Sequence, residues 1–401
     1  MIAIHKKTVV IMVGLPARGK SFFASKLMQY LAWLGYRART FNAGKYRREM
    51  LGAESSRSEF FDPANREFRE ERERIAKLCF RDCLAWLFAE GDIAIYDATN
   101  VTQARREYLT GECKRHGYDH VFIESVCDDP VLFSRIVAEK VAYSPDYVGT
   151  DEQIAREDFL QRVTHYEGIC EPISDDCSYI RIRNFGDHVI KHFLSENDFF
   201  NELFSYLKNI RGGKKDVYLS RHGETKFNQE DRIGGDAALT ENGKEMARSL
   251  AAYFENKDIA IMTSDKMRTK ETASFFTQRL EAYAVLDEIR SGVCDSMTYA
   301  EIARQYPDIE KARKKDKFNF QYPDGESYHD LIWRVRTAIW EIEAQRRDVL
   351  VIGHRAVNRC IYSYFIPTPA VEIPYIDMPL KTVIRIRSHD HPRCTAEVIA
   401  V

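Results

Sequence analysis

Nothing in this chain is built to sit in a membrane. No apolar run is long enough to span a bilayer, and the short apolar stretch Val9–Val13 leads straight into a glycine-containing loop, not into a leader-cleavage pattern. An excess of charge of one sign is also lacking. Lys and Arg number 59 against 61 Asp and Glu, a formal net charge of −2, so no global field draws the chain to nucleic acid or to an anionic membrane. Neither is expected as a partner. The nine cysteines are odd in number and scattered, and Cys79 and Cys83, one helical turn apart, have no second pair at zinc spacing. They read as buried thiols in a reducing compartment, which makes the cytoplasm the expected location. Internal repeats and low-complexity tracts are absent, which excludes solenoids and extended disorder. Little chain precedes Thr8, so regulatory tails are not expected.

What is present suits two α/β domains. The length of 401 residues and 44% hydrophobic content can fill two cores. In the first half, strands are expected at Thr8–Val13, Arg37–Phe41, Ile93–Tyr96 and Val121–Val126. Helices are expected at Lys20–Leu34, Arg66–Phe88, from Pro130, and at Asp151–Tyr166 and Glu196–Leu207. On the long helix, Glu70/Arg74 and Glu73/Lys77 are expected to pair across a solvated face. This alternation predicts a parallel sheet covered by helices on both faces. The small, charged stretch Arg211-Gly-Gly-Lys-Lys215 marks a boundary, giving domains over residues 1–210 and 216–401. The pattern then restarts. Strands are expected at Asp216–Ser220, Ile259–Thr263 and Asp348–Ile352, and helices at Glu241–Phe254, from Arg268, at Tyr328–Ala344 and from Ala356.

Each half carries a phosphate-handling signature. The first is Gly14-Leu15-Pro16-Ala17-Arg18-Gly19-Lys20-Ser21, a complete G-x-x-x-x-G-K-[ST] loop between a strand and a helix. Gly14 and Gly19 let the backbone curl so that its N–H groups, Ala17 and Arg18 included, face the phosphates of ATP. Lys20 is expected to reach the terminal phosphates and Ser21 to hold Mg²⁺. Ile93-Ala-Ile-Tyr-Asp97 ends a strand in a carboxylate, the place for a second Mg²⁺-organising acid or for a base near the attacked hydroxyl. Capping of the next helix is the plain alternative. Arg47, Arg72 and Arg105 lie on separate segments around it, and bidentate guanidinium groups suggest an acceptor that already carries a phosphate.

The second signature is Arg221-His222-Gly223-Glu224 after a strand, joined by Arg268 after Thr263-Ser264 and by Gly353-His354 after another strand. A neutral imidazole can attack phosphorus and carry the phosphoryl group, provided cations offset its charge. The set resembles the histidine phosphatase superfamily, whose core is two arginines and two histidines.

The resemblance extends to almost the whole chain. Asn42-Ala-Gly-Lys-Tyr-Arg-Arg-Glu49, Asp97-Ala-Thr-Asn100, Phe122-Ile-Glu-Ser-Val-Cys127 and Ser144-Pro-Asp-Tyr147 resemble segments of the bifunctional 6-phosphofructo-2-kinase/fructose-2,6-bisphosphatase family. That resemblance implies fructose 6-phosphate contacts at Arg47, Arg72, Thr99, Arg105, Arg162 and Tyr166, and kinase roles for Asp97 and Cys127. By its residue type alone, Cys127 reads equally well as a buried thiol. In the second half it implies Glu288 as proton donor to the leaving hydroxyl. It also implies sugar-bisphosphate contacts at Asn228, Gly234, Tyr299, Arg313, Lys317, Tyr328 and Arg359, with Arg221 shared between binding and catalysis. Arg313 and Lys317 fall in a charge run whose default reading is a solvated helix face. A homodimer is a further implication.

This sequence departs from the family in places. Val141 stands where the family usually has a substrate-contacting Lys, with Lys140 one position earlier, and Ile136 stands near an adenine-contacting Asn. Arg355 stands where the family usually has Gln beside the second histidine, and Gln321 where it often has Arg. The expected function is a kinase that makes fructose 2,6-bisphosphate from ATP and fructose 6-phosphate with Mg²⁺, joined to a phosphatase that reverses it through a phosphohistidine without metal. Two alternatives stay open: a phosphatase with a weakened kinase half, and an inactive sensor of nucleotide and sugar phosphate.

Overall fold

The computed structural model describes residues 6–52, 55, 57–387 and 394–401. The chain forms two compact units, Met1–Ile210 and Arg211–Val401, and the architecture is two-domain α/β. Strands of the first unit are β1 (Thr8–Val13), β2 (Ala38–Asn42), β3 (Ile93–Asp97), β4 (Asp119–Val126), β5 (Tyr179–Arg183) and β6 (His188–His192). They form one sheet in the order β2-β3-β1-β4-β5-β6. All neighbours are parallel except β5 and β6. Every residue of β1 is buried, as a continuous apolar run covered on both faces requires. Ile11 on β1 lies opposite Tyr96 on β3. The loop after β1 and the carboxylate ending β3 therefore leave the sheet side by side, at the carboxyl edge where α/β sites form.

The second unit contains β7 (Asp216–Arg221), β8 (Ile259–Thr263), β9 (Leu280–Ala282), β10 (Asp348–Gly353), β11 (Thr382–Arg387) and β12 (Thr395–Ala400). Its order is β12-β11-β7-β10-β8-β9, with β11 antiparallel to both β7 and β12. Gly353 pairs with Arg221, and Ile352 with Thr263. His222, Ser264 and His354 therefore leave three adjacent strand ends together. Among the described residues no helix is long and apolar enough to cross a membrane.

Several elements differ from the pattern expected of the sequence. The helix expected from Asp151 starts at Glu152, because the Asp151 side chain caps it by accepting from the backbone N–H groups of Gln153 and Ile154. The helix expected from Glu196 starts at Asp198, with Asn197 accepting from Phe200 N at 3.1 Å. Helices Ala43–Leu51 and Gln103–Arg115 and the β5–β6 hairpin lie outside the expected pattern. In Ala43–Leu51 only Arg47 is buried, so the helix has no apolar stripe to read. On helix Arg66–Ala89 the expected pairs are not formed. Glu70 accepts from Arg66 at 2.9 Å, Arg74 bonds Glu71 at 2.6 Å, Glu73 pairs with Arg105, and Lys77 lies over the Tyr108 ring. The i,i+4 rule cannot anticipate Arg105, which arrives from another helix.

Candidate active sites

The phosphate loop of the first unit is set by sterics. Gly14 has φ of 138°, and a Cβ there would sit 2.4 Å from the Ser125 carbonyl oxygen. Gly19 has φ of 85°, and a Cβ would meet the Phe185 ring at 2.5 Å. Only glycine fits both conditions. Gly14 N donates to the Thr99 carbonyl at 2.9 Å, and Asn100 Nδ2 to the Met12 carbonyl at 2.8 Å, so the loop after β3 braces the loop after β1. Ala17 is buried, and Arg18 stacks on Phe133 at 4.0 Å and bonds Glu167 at 3.3 Å. Lys20, buried at the helix start, donates to the Leu15 carbonyl at 2.6 Å. Burial pulls its ammonium down to about 7, and Lys140, Arg162 and Arg18 add to the fall while Asp97 opposes it.

Ser21 Oγ donates to Asp97 Oδ2 at 2.8 Å, and Asn42 Nδ2 donates to the same oxygen at 2.5 Å. A hydroxyl beside a carboxylate is the hard-oxygen donor set that Mg²⁺ takes. Among the described residues no group of three or more His, Cys, Asp or Glu could hold a metal. Two protein oxygens suit an ion that keeps its waters and binds substrate phosphates. The Cys127 thiol is buried and faces the Asp129 carbonyl at 3.7 Å, and burial raises its pKa. It packs in an apolar cluster with Ala17, Ile136, Val137 and Val141.

Arg47, Arg72 and Arg162 gather on the turn Ser58–Phe61 beside this loop. Arg162 lies 3.8 Å and Arg47 5.1 Å from the centre of the Phe61 ring, and the Tyr166 ring is 5.9 Å from it. Arg72 donates to the Phe60 carbonyl, and Arg105 pairs with Glu73. Arg162 is also felt at Lys20, so the arginine cluster and the phosphate loop adjoin. At its centre is Asp146, bonded by Arg47 at 2.8 Å and by Arg48 and Arg162 at 3.2 Å. Sequence reasoning missed Asp146 although it lies within Ser144-Pro-Asp-Tyr147. It looked for cations to meet phosphate, and a buried counter-ion becomes visible only after folding. Asn42 was missed because its bond to Asp97 joins segments that meet only in the fold.

In the second unit a cleft of about 530 Å³ holds Arg221, His222, Asn228, Gly234, Arg268, Glu288, Tyr299, Arg313, Lys317, Tyr328, Arg355 and Arg359 on its lining. His222 Nδ1 faces the Gly223 carbonyl at 2.7 Å, so Nδ1 carries the proton and Nε2 keeps its lone pair. Arg268 Nε donates to Nε2 at 3.2 Å. Burial, then Arg268 and Arg221, hold the His222 pKa well below its usual value, so the imidazole is neutral. His354 is fully buried rather than on the cleft lining. Its ring lies 5.3 Å from that of His222, and its Nε2 meets Ser264 Oγ at 2.8 Å. Ser264, itself bonded to Thr269 at 2.7 Å, was not singled out as a site residue.

Glu288 Oε1 accepts from Ile289 N at 3.0 Å and Ala356 N at 3.2 Å, which fixes it at the start of helix Arg355–Phe365. At the far end Arg313 bonds Tyr299 at 3.1 Å, Arg359 bonds Tyr328 at 3.1 Å, and Lys317 donates to the Pro374 carbonyl at 3.0 Å. The charge run is therefore only partly a solvated face. Burial, with Arg313, Arg359 and Arg355, brings Lys317 to about 8. Burial, with Arg355 next, brings Arg221 to about 10. The charges of Arg355 and Arg359 are felt at both ends of the cleft.

Known proteins match both halves. The family model described as 6-phosphofructo-2-kinase matches residues 3–212, and that of the histidine phosphatase superfamily (branch 1) matches residues 217–399. The chain is 40% identical over 387 residues to 6-phosphofructo-2-kinase/fructose-2,6-bisphosphatase 4 of Homo sapiens, covering 94% of this chain and 82% of that one. It is 39% identical over 390 residues to 6-phosphofructo-2-kinase/fructose-2,6-bisphosphatase 1 of Homo sapiens, covering 95% and 82%.

Proposed function

This chain belongs to the bifunctional 6-phosphofructo-2-kinase/fructose-2,6-bisphosphatase family, and from that premise we propose which side chains carry each step. The protein is an enzyme with both activities: it makes fructose 2,6-bisphosphate from ATP and fructose 6-phosphate, and it hydrolyses it through a phosphohistidine. The observation that carries the assignment of steps is the neutral, Nδ1-protonated His222 with Arg268 on its Nε2.

In the kinase unit the backbone from Gly14 to Gly19 receives the ATP phosphates, and Lys20 turns from the Leu15 carbonyl to the transferring group. Ser21 and Asp97 would hold Mg²⁺, which would offset charge on the phosphate oxygens. Arg47, Arg72, Arg105, Arg162 and Tyr166, with Thr99, hold fructose 6-phosphate. Cys127 supports the loop from the apolar side.

In the phosphatase unit His222 Nε2 attacks the 2-phosphorus, the bond from phosphorus to the sugar oxygen breaks, and Glu288 protonates the departing oxygen. Water then attacks the phosphohistidine and returns a proton to Glu288, freeing phosphate and neutral His222. Arg221, Arg268 and His354 surround the transferring group. Arg313, Lys317, Arg359, Tyr299 and Tyr328 hold the second phosphate, and Asn228, Gly234 and Arg355 shape the space between. The thiol content suits the cytoplasm, and a homodimer fits the family.

The test is covalent labelling with 2-labelled fructose 2,6-bisphosphate. An acid-labile label on the wild type, absent from His222→Ala, is the expected result, and an acid-stable or persistent label would move the nucleophile elsewhere. A second reading, a kinase weaker than the phosphatase, draws on Val141, which is buried among apolar side chains where a cation would serve the substrate. Following fructose 2,6-bisphosphate in both directions with ATP, Mg²⁺ and fructose 6-phosphate decides between them.

A further inference from the structure

The kinase unit buries a carboxylate among the arginines expected to grip the acceptor. Asp146 is 6% exposed, and its two oxygens take Arg47 at 2.8 Å, Arg48 at 3.2 Å and Arg162 at 3.2 Å. The three arginines come from two helices, Ala43–Leu51 and Glu152–Glu167, that are not consecutive in the chain. Asp146 itself sits in the short turn Pro145–Tyr147, whose start is fixed by Ser144 Oγ accepting from Asp146 N at 3.2 Å. Its neighbour Tyr147 is buried and donates to Asp158 Oδ2 at 2.8 Å, while Asp158 Oδ1 accepts from Ser58 N at 2.7 Å. One framework thus fixes the carboxylate, the helix that carries Arg162, and the turn whose Phe61 ring carries both Arg47 and Arg162.

Charge decides what this arrangement is for. Among the described residues three guanidinium groups face one carboxylate, an excess of positive charge that suits the phosphate of a sugar. Without Asp146, Arg47 and Arg162 would repel each other in a buried place, and each would gain by turning toward solvent. With Asp146, both stay aimed at one spot before any substrate arrives, and preorganised donors bind tighter than donors that must be ordered on binding. Burial raises the Asp146 carboxyl, but Arg47, then Arg162 and Arg48, outweigh it and hold the pKa at about 2. The charge is therefore present at every working pH.

We propose that Asp146 is a positioning residue for the kinase reaction, holding Arg47 and Arg162 as a ready-made cradle for the phosphate of the acceptor sugar. The proposal rests on the assignment of those arginines to fructose 6-phosphate.

The experiment measures kinase KM for each substrate, kcat, and the bisphosphatase rate in the full-length chain, for Asp146→Asn and Arg162→Met. Asp146→Asn should raise the KM for fructose 6-phosphate by roughly tenfold, with the KM for ATP and kcat within about twofold and the bisphosphatase rate unchanged. Arg162→Met should do the same. If Asp146→Asn does not fold, Asp146→Glu carries the test: it keeps the charge but displaces it by one methylene, and the KM for fructose 6-phosphate alone should again rise. A fall in that KM would make Asp146 a competitor for the phosphate and overturn the proposal. So would a matching rise in the KM for ATP, which marks general damage. An unchanged KM in Asp146→Asn beside a raised one in Arg162→Met overturns the role of Asp146 alone, whereas an unchanged KM in Arg162→Met overturns the acceptor assignment itself.

Discussion

Lys20 stores a measurable signal in its proton. Burial brings its pKa to about 7 in the substrate-free protein, and the phosphates of a bound nucleotide stabilise the ammonium. Nucleotide binding at pH 8 should therefore take up about one proton at this residue. Calorimetry in buffers of different ionisation enthalpy reads that uptake, and Lys20→Met should remove it. Uptake that survives in Lys20→Met would place the titrating group elsewhere. At this scale the sequence was legible where residue type and spacing encode the chemistry. The glycines of the loop are dictated by backbone approach, and Gly14 meets the Ser125 carbonyl as such a position must. The same spacing says nothing of Asn42 or Asp146. Each acts through a contact made only after distant segments meet, Asn42 with Asp97 and Asp146 with Arg162.

Among the elements, the helix Pro130–Tyr143 carries the departure from the family pattern. It turns Ile136, Val137 and Val141 into an apolar cluster with Tyr147 and leaves Lys140 exposed, yet the Lys140 charge is felt at Lys20. We infer that Lys140 supplies the cation one position early. Lys140→Ala should raise a kinase KM by roughly tenfold, and Val141→Lys should gain nothing, since its ammonium would have to leave a packed apolar site. Kinetics on the two variants side by side checks this, and an improved KM in Val141→Lys would show that the position had simply lost its lysine. Elements with a strong apolar period, such as β1 and helix Tyr328–Ala344, were legible to the residue. Gln103–Arg115 buries only Arg106, Leu109 and Cys113, and with so little stripe its helix is visible only from the Thr102 cap and from its packing on the sheet.

For the molecule as a whole, two units should fail separately. Lys20→Met should lower kinase turnover by about 10²–10³, the usual loss for one key electrostatic donor, and leave the bisphosphatase intact. His222→Ala should do the reverse. Equal loss of both activities in either variant would mean a shared defect. Acid should also separate them. His222 and His354 are held neutral in the fold, with pKa values well below the usual 6.5, whereas the unfolded chain takes up protons there. Their contribution is present above pH 6.5 and is lost as pH falls, by up to about 1.4 kcal/mol per pH unit for each histidine. The C-terminal unit should therefore lose stability between pH 6.5 and 5. Asp146, by contrast, supports the N-terminal unit down to about pH 4 and fades toward its pKa of about 2. Denaturant titrations across this range, with bisphosphatase activity reporting the C-terminal unit, check the order of loss. The cationic lining of the phosphatase cleft has a last consequence. Arg221, Arg268, Arg313, Lys317, Arg355 and Arg359 share one space of about 530 Å³, and such a space behaves as an ion exchanger toward any small polyvalent anion. Inorganic phosphate should therefore compete with the sugar bisphosphate for this space, and a bisphosphatase KM that does not move when phosphate is added would show that it does not.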